Sequence, residues 1–186
     1  MTTQDPWYCV VDGEDLEQGD FIDRCPTFIP DYTPTFTGQS QQSAHITPDF
    51  SIINGEWQEY DVVVMSQSCD LQNDKLKFVL VCPYWSLEEF SEQNANFRSR
   101  KIREEIRRGY LHSLHMLNEC SLEEKKQGIQ IVEFGSVYSI PFDFLKHFAK
   151  GQGRRLRLLS PYKEQLSQAF ARYFMRVGLP NDIPRF

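Results

Sequence analysis

The sequence predicts the α+β class, as a small, mostly antiparallel β-barrel with a helical insertion and a docked C-terminal helix. Two apolar, β-branched segments at residues 61–66 and 76–83 flank a polar turn, which indicates paired strands at the centre of a sheet. Ser86 and Glu89 have the spacing of a capping box, which starts a helical region. Beyond Ser160, apolar residues recur on one face of a predicted helix.

The first strands are predicted on either side of turn residues. Residues 7–11 are aromatic and β-branched, and Asp12-Gly13 ends them as a turn. Gly19-Asp20 precedes a second short strand. Residues 26–60 carry four prolines among Thr, Ser and Gln, and predict a long loop with a mobile tip at Gln39–Ser43. Three later strands are predicted at residues 129–134, 136–140 and 155–159.

We expect one domain spanning residues 1–186. Its barrel core comprises residues 7–84 and 129–159, and the helical insertion between them covers residues 86–125. A short helix opens at Pro141. The C-terminal helix covers residues 160–177, with Ser160 as N-cap and Pro161 in the first helical position. Its apolar face is formed by Leu166, Phe170, Tyr173, Phe174 and Val177. This face must dock on the barrel or on a second protomer, so a homodimer is one possibility.

Composition and charge describe an acidic globular chain. Hydrophobic residues make up 40% and charged residues 25%, which excludes wholesale disorder. Lys and Arg total 20 against 26 Asp and Glu, which argues against a globally basic nucleic-acid binder. Only Arg24 and Lys75 are basic among residues 1–75, so the basic excess lies in the second half. This asymmetry indicates either halves that attract each other or a basic face for phosphate or an acidic partner.

The sequence also suggests where the protein works and what it contains. We expect a soluble cytoplasmic protein with no membrane partner, because no apolar run is long enough to span a bilayer and no leader pattern opens the chain. The five cysteines include no CxxC pair, which argues against a disulfide framework. His112 and His115, followed by Cys120, could form half of a metal site on one helix face, or could be packed side chains. No cofactor is expected.

A candidate functional turn follows the central apolar strand. It contains Ser66, Ser68, Cys69 and Asp70. Strand ends commonly carry functional side chains, so Cys69 could act as a nucleophile, or as a metal ligand together with Asp70 and a distant histidine. The alternative is structural: Cys69 fills a small gap, and Asp70 caps the turn.

A candidate nucleic-acid or partner face lies in the basic second half. Its members are Arg98, Arg100, Lys101, Arg103, Arg107, Arg108, Arg154, Arg155 and Arg157. These cations could contact phosphate while Phe97 and Tyr110 stack on bases. The alternative is a solvated helix with pairs such as Glu104–Arg108.

Three segments resemble an uncharacterised family of small bacterial proteins. They are Gly19–Ile22, the run from Val62 that contains Ser66-Gln67-Ser68-Cys69-Asp70-Leu71, and the tail from Arg157 to Pro180 with Leu158-Leu159-Ser160-Pro161-Tyr162 and Leu166-Ser167-Gln168-Ala169-Phe170. The resemblance covers both ends and the centre of the chain and implies no activity.

The order of segments is also remotely similar to that of MazF/PemK-like toxins. These are small SH3-like β-barrels that cleave or bind RNA, and the similarity implies an SH3-like barrel here. The shared order is Gly19-Asp20, the 26–60 loop, the strand Val62–Ser66 and the strand Val79–Pro83. The toxins carry an Arg-Pro pair before the Val-rich strand, whereas residues 57–61 are acidic and contain no arginine. That departure argues against ribonuclease activity.

Three functional hypotheses follow. The leading one is a non-catalytic binding or adaptor module of a bacterial stress, toxin-like or defence system, with a protein partner. It follows from the amphipathic terminal helix, the Pro-containing loop and the lack of a recognisable catalytic set, and it expects no polar groups converging in a cleft. The second is a MazF-like endoribonuclease, which requires a basic groove. The third is a metal-dependent enzyme that uses Cys69, Asp70 and the His112/His115 pair. Weak nucleic-acid binding is compatible with the first two.

Overall fold

A computed structural model of the chain describes residues 6–30 and 55–175. Within them the predicted α+β class is confirmed, with a mostly antiparallel sheet and several helices. The strands are β1 (Tyr8–Val11), β2 (Phe21–Pro30), β3 (Gly55–Val64), β4 (Phe78–Ser86), β5 (Leu114–Leu117), β6 (Gln130–Glu133), β7 (Tyr138–Pro141) and β8 (Arg155–Leu158). The α-helices are α1 (Ser68–Gln72), α2 (Leu87–Gln93), α3 (Arg100–Arg107), α4 (Phe142–Gln152) and α5 (Tyr162–Phe174).

The described strands form an open sheet and a separate ribbon, not a closed barrel. The sheet follows the order β2-β3-β4-β6-β5, and β7 also pairs with β4. β1 and β8 form the antiparallel ribbon, which an isolated bridge between Asp20 and Arg157 joins to the start of β2. Apart from that bridge, β2 pairs with β3 alone and β7 with β4 alone among the described strands, so both present an edge where a closed barrel would continue its pairing.

The apolar segment Val62–Val64 is buried on both faces of the sheet, as its continuous β-branched sequence predicts. Val63 packs in a cluster with Phe21 and Leu166, on the side of α5. Val62 and Val64 pack in a second cluster on the side of α4. The sheet therefore has a helix on each face, and a third small cluster lies under α2 and α3.

The predicted 26–60 loop is wrong at both of its ends. Residues 26–30 belong to β2 and residues 55–60 to β3, with Phe28 opposite Trp57 in the register. Pro26 and Pro30 are tolerated in a strand because β2 is an edge strand, where a missing N–H removes no sheet hydrogen bond. The rest of the segment, including the Gln39–Ser43 tip, lies outside the described residues.

Pro83 does not end the central strand, although proline predicts a stop at this position. β4 continues through it to Ser86. On one side β4 pairs with β7 up to Val81 and with β6 from Tyr84 onward. The 3₁₀ turn at Phe134–Ser136 separates β6 from β7, so no strand pairs with β4 on this side at Pro83. Pro83 has no N–H to donate, so the interruption costs no hydrogen bond from it.

The insertion at residues 86–125 starts as predicted and then departs from the prediction. The Ser86/Glu89 capping box is present at the start of α2. However, the insertion also contributes β5, which pairs with β6 at the edge of the main sheet. The segment is therefore a mixed helical and strand unit. The apolar side chains of β5 are buried in the core: Leu114 in the third cluster and Leu117 in the first.

The C-terminal helix is docked, but it begins later than predicted and buries only part of the predicted apolar face. α5 starts at Tyr162, and the predicted end at residue 177 lies outside the described residues. Leu166 is fully buried, and Phe170 and Tyr173 pack against Phe134. Phe174, which was expected on the same face, is 55% exposed, whereas Phe170 and Tyr173 are partly buried.

Charge pairing joins the acidic first part of the chain to the basic second part. The pairs that do so are Asp20 with Arg155 and Arg157, Glu17 with Arg157 and Lys163, Asp23 with Lys125, Asp74 with Lys146, and Glu14 with Lys150. The charge asymmetry of the sequence therefore corresponds in large part to ion pairs between the two halves of the chain. Among the described helices, none is long and apolar enough to cross a membrane.

Candidate functional site

The two serines of the candidate functional turn support backbone geometry. Ser66 Oγ accepts a hydrogen bond from the Leu80 N–H at 2.9 Å, which ties the end of β3 to β4. Ser68 Oγ accepts from the Gln18 N–H at 3.1 Å, and the buried Gln18 side chain donates to the Met65 carbonyl at 2.7 Å. The turn is thus fastened to the chain before β2, which explains a polar composition without a catalytic role.

Cys69 and Asp70 lie at the surface in the short helix α1. Cys69 is an exposed free thiol, and the Asn73 side-chain amide donates to its carbonyl. Asp70 forms a long 3.8 Å ion pair with Lys75. Within the described ranges, no three His, Cys, Asp or Glu side chains are grouped so that they could hold a metal ion. The structure therefore does not bring Cys69 and Asp70 together with His112 and His115.

The two histidines do not share a helix face, contrary to the sequence expectation. His115 lies in β5, and His112 lies in the turn before that strand. The His115 ring stacks on Phe134 with a centroid separation of 6.2 Å. Burial, together with the nearby Arg172 charge, lowers the pKa of His115 to about 4. His115 is therefore a neutral, packed imidazole at ordinary pH.

Arg155 and Arg157 do not belong to a nucleic-acid or partner face. Arg155 is only 1% exposed, and its Nε lies 2.9 Å from Oδ2 of the fully buried Asp20. Arg157 is engaged by Asp20 and by Glu17, at 2.7 Å for the latter pair. The alternation of Arg and Leu in β8 predicts arginine side chains that point to solvent. Instead, the buried Asp20 carboxylate binds both of them. Arg154 remains on the surface and pairs with Glu124.

The basic residues around α3 divide into structural and exposed groups. Arg98 and Arg103 donate to backbone carbonyls of Ser91 and Phe97 and so hold the connection between α2 and α3. Arg100 and Lys101 are exposed. Arg107 and Arg108 share Glu104, and their hydrogen bonds lower the pKa of that carboxyl to about 2. The predicted Glu104–Arg108 pair is confirmed.

An apolar groove of about 470 Å³ is the most distinctive surface feature. Three aromatic side chains are exposed in it: Trp57 by 70%, Phe144 by 41% and Phe28 by 39%. Its lining contains no charged side chain and consists of Pro26, Thr27, Phe28, Trp57, Val137, Tyr138, Ser139, Ile140, Pro141 and Phe144. Large aromatic groups left open to solvent around a concave surface are typical of binding sites.

The apolar groove lies between the two free strand edges. Residues of β2 line one side of it, and residues of β7 and the start of α4 line the other. Tyr60 of β3 stacks on Tyr138 of β7 with ring centroids 5.5 Å apart, which holds the two sides together below the opening. Burial and the hydrogen bond with Tyr60 raise the pKa of Tyr138 to about 12, so it stays neutral.

Three acidic residues lie within two sequence positions of aromatic residues that line the apolar groove. Glu56 and Glu59 are exposed residues of β3 beside Trp57. Asp143, whose side chain is 99% exposed, precedes Phe144 in α4. Lys146 lies 3.8 Å from Asp143, so one ammonium group partly offsets the three carboxylates. The remaining net negative charge favours a positively charged ligand segment.

A second cavity of about 650 Å³ lies between the β2–β3 hairpin and the end of α4. Polar groups do converge on it, contrary to what the binding-module hypothesis expects: Asp23, Arg24, Glu59, Lys125 and His147. Its charges are balanced, and Asp23 is already engaged by Lys125 at 2.9 Å and by the Tyr84 hydroxyl at 3.1 Å. Arg24 has a positive φ of 47°, at a register irregularity between Ile22 and Cys25 where its N–H donates to Asp61. This bulge shapes the cavity wall, but the balanced charges do not select a ligand.

The apolar groove was missed in the sequence because its residues come from distant segments. Trp57 lies between polar neighbours in a stretch expected to be a loop. An aromatic residue between polar residues can also indicate a strand with an exposed aromatic side chain, and this was the available signal. Phe144 gave no comparable signal. Comparison of the chain with protein-family models, curated proteins and solved structures finds no match.

Proposed function

We propose that this protein is a non-catalytic binding module whose apolar groove binds an extended segment of a partner protein. The observation that carries the proposal is the 70% exposure of Trp57 beside Phe28 and Phe144 in a charge-free groove. Aromatic side chains in pockets dominate the binding energy of protein interfaces, because they bury a large area with few rotatable bonds.

The form of the bound segment follows from the free strand edges. β2 and β7 border the apolar groove, and each has backbone groups on its outer edge that no other described strand pairs with. An extended segment could add to the β7 edge and place alternate side chains against Trp57 and Phe144. β2 offers a poorer edge for pairing because Pro26 and Pro30 lack an N–H.

The charge of the bound segment follows from the acidic surroundings. Glu56, Glu59 and Asp143 lie within two positions of Trp57 or Phe144, and Lys146 offsets only one of these charges. A segment with Lys or Arg beside its apolar anchors is therefore complementary. Exposed charges act mainly on the association rate and on specificity, whereas the aromatic anchors provide affinity.

The wider setting is part of the same proposal. The motif resemblances support a cytoplasmic protein of a bacterial stress, toxin-like or defence system. They also support an SH3-like architecture, here opened at the apolar groove between β2 and β7. Residues 57–61, where the toxins would carry their arginine, are part of β3 and contain none, in keeping with a binding role without RNA cleavage.

The test is selection from a displayed library of extended peptides, followed by affinity measurements on purified peptides. We expect selected peptides to combine apolar residues at alternating positions with Lys or Arg. Trp57→Ala and Phe144→Ala should each weaken their binding at least about tenfold. The matched control is Tyr110→Ala, which removes an aromatic side chain of similar exposure, 65%, outside the groove and should leave affinity unchanged.

Three results would contradict the proposal. The first is selection of no peptide, and the second is an equal loss of affinity in the Tyr110→Ala control. The third is a dimer of the unmodified protein that Trp57→Ala converts to a monomer in light-scattering measurements, because the groove would then be occupied by a second copy. RNA cleavage by the purified protein would establish an enzymatic function instead.

A further inference from the structure

A small cavity of about 200 Å³ lies between α3, β5 and α5, away from the apolar groove. Its lining includes no Asp or Glu. The polar side chains that face it are Arg107, Arg108, His112, His115, Gln165 and Arg172. We call it the basic cavity. It brings together residues of the insertion and of the C-terminal helix, which lie 49 or more positions apart in the sequence.

The basic cavity has more positive charge than the described residues neutralise. Among the residues that the structure describes, Glu104 is the only carboxylate that pairs with Arg107 and Arg108, at 2.7 and 2.6 Å. Arg172 uses its Nε in a 3.3 Å hydrogen bond to the Gln168 carbonyl and has no ion pair among the described residues. Three guanidinium groups thus stand against one carboxylate.

The arrangement of donors around the basic cavity suits an anion. Arg107 and Arg108 come from the end of α3, whereas Arg172 comes from α5, so two different helices supply the guanidinium groups. An anion bound among the three guanidinium groups would offset their mutual repulsion. At the cavity wall, His115 is held neutral by burial, so it can provide one N–H donor and adds no further charge to be neutralised.

We propose that the basic cavity binds a phosphate group through Arg107, Arg108 and Arg172. A tetrahedral oxyanion presents acceptors in several directions and can be held by guanidinium groups from two walls, whereas a planar carboxylate matches a single guanidinium fork. His112 and Gln165 supply further donors at the same cavity. This site is separate from the apolar groove and does not depend on the proposed peptide binding.

Two sources could present this phosphate group, a small phosphomonoester or the backbone of a nucleic acid. The probes are therefore inorganic phosphate, adenosine 5′-monophosphate and a single-stranded RNA of ten nucleotides. Binding is followed by the NMR signals of the His112 and His115 side chains, which face the cavity. Saturation by the monophosphate but not by RNA assigns a phosphomonoester, and saturation by RNA assigns a phosphodiester. Both support the proposal.

Variants distinguish a site from general attraction to a basic surface. Arg172→Gln and Arg108→Gln should each weaken binding of the strongest probe at least about tenfold, since a charge-assisted hydrogen bond is lost. The control is Arg154→Gln, because Arg154 is an exposed arginine on another surface, paired with Glu124. It should leave affinity within about twofold.

Thermal unfolding of each variant separates loss of the site from loss of the fold. Arg108 is exposed at the end of α3, so we expect Arg108→Gln to fold normally. This variant still tests the site if Arg172→Gln proves unstable. The proposal is overturned if none of the three probes moves the histidine signals. It is also overturned if Arg154→Gln weakens binding as much as the two cavity variants do.

Discussion

Replacing Asp20 by asparagine tests whether a buried charge network holds the β1–β8 ribbon on the main sheet. Asp20 is fully buried, and its Oδ2 lies 2.9 Å from Nε of Arg155 and 2.9 Å from Nη2 of Arg157. Arg155 also donates to the carbonyls of Gly13 and Asp15, both at 2.7 Å. One carboxylate therefore compensates two arginines, one of which is only 1% exposed.

Asparagine keeps the size of the side chain but removes the compensating charge. Removing one partner of a buried ion pair destabilises a protein by about 3–5 kcal/mol, because the other charge stays buried and unpaired. Arg157 keeps Glu17 as a partner, so the loss is concentrated on Arg155. In a protein of this size each kcal/mol lowers Tm by about 2–4 °C, so we expect Tm to fall by roughly 6–20 °C.

The assay is urea unfolding followed by circular dichroism, with Tm measured in parallel. The matched control is Glu124→Gln, which removes the partner of Arg154 in an ion pair whose side chains are 64% and 54% exposed. An exposed pair contributes under about 1 kcal/mol. Equal losses of unfolding free energy in Asp20→Asn and Glu124→Gln would refute the reasoning. Arg155→Lys is a second variant: it keeps the charge but cannot reach Asp20, Gly13 and Asp15 together, so it should also destabilise the protein.

Three further predictions concern packing, thiol reactivity and pH. Leu166→Ala empties a fully buried position and should lower the unfolding free energy by about 2–5 kcal/mol in urea titrations. Phe174→Ala, at a 55% exposed position, should change it little, and equal effects would contradict the docking of α5. Burial raises the pKa of both Cys25 and Cys82 to about 12, so a thiol reagent at pH 8 should label the exposed Cys69 and spare these two until unfolding. In Cys69→Ala that labelling should vanish while stability changes by no more than on the order of 1 kcal/mol, and labelling of Cys25 in the folded protein would refute the prediction. The pKa of His115 is about 4 when folded and about 6.5 when unfolded, so the unfolded state binds more protons between these values. The contribution of His115 to stability is present above pH 6.5 and is lost as pH falls towards 4. His115→Gln should remove that part of the pH dependence of stability. An NMR titration midpoint near 6.5 for His115 in the folded protein would contradict this prediction.

Local sequence patterns predicted the local elements well. The capping box at Ser86, the apolar strand at Val62–Val64 and the amphipathic helix around Leu166 depend on neighbours a few residues away, and all three are confirmed. The strand was predicted to end at Pro83, whereas β4 continues past it. Proline is tolerated there because the neighbouring strand is interrupted, and that interruption lies some 50 residues later in the chain.

Features made by distant segments could not be predicted in the same way. Arg155 alternates with leucines, a pattern of an exposed side chain, and only the pairing of β8 with the start of β2 reveals that Asp20 lies beside it. The apolar groove likewise needs the β2–β3 hairpin to lie against β7 before Trp57 and Phe144 share one surface. Composition indicated the charge asymmetry, but the structure is needed to show which cations are already paired.

The pairing of β1 with β8 has a consequence for the order in which the chain can fold during synthesis. Val11 lies opposite Arg155 in the register, so β1 leaves the ribosome about 140 residues before its partner. At about 5–20 residues per second, that interval lasts roughly 7–30 s. Throughout it, Asp20 lacks both arginines, and Trp7 lacks Tyr162, on which it stacks at 3.7 Å in the folded protein. A nascent chain halted before residue 155 therefore exposes Trp7, which stacks on Tyr162 and is partly buried in the finished protein, and molecular chaperones are expected to engage it there.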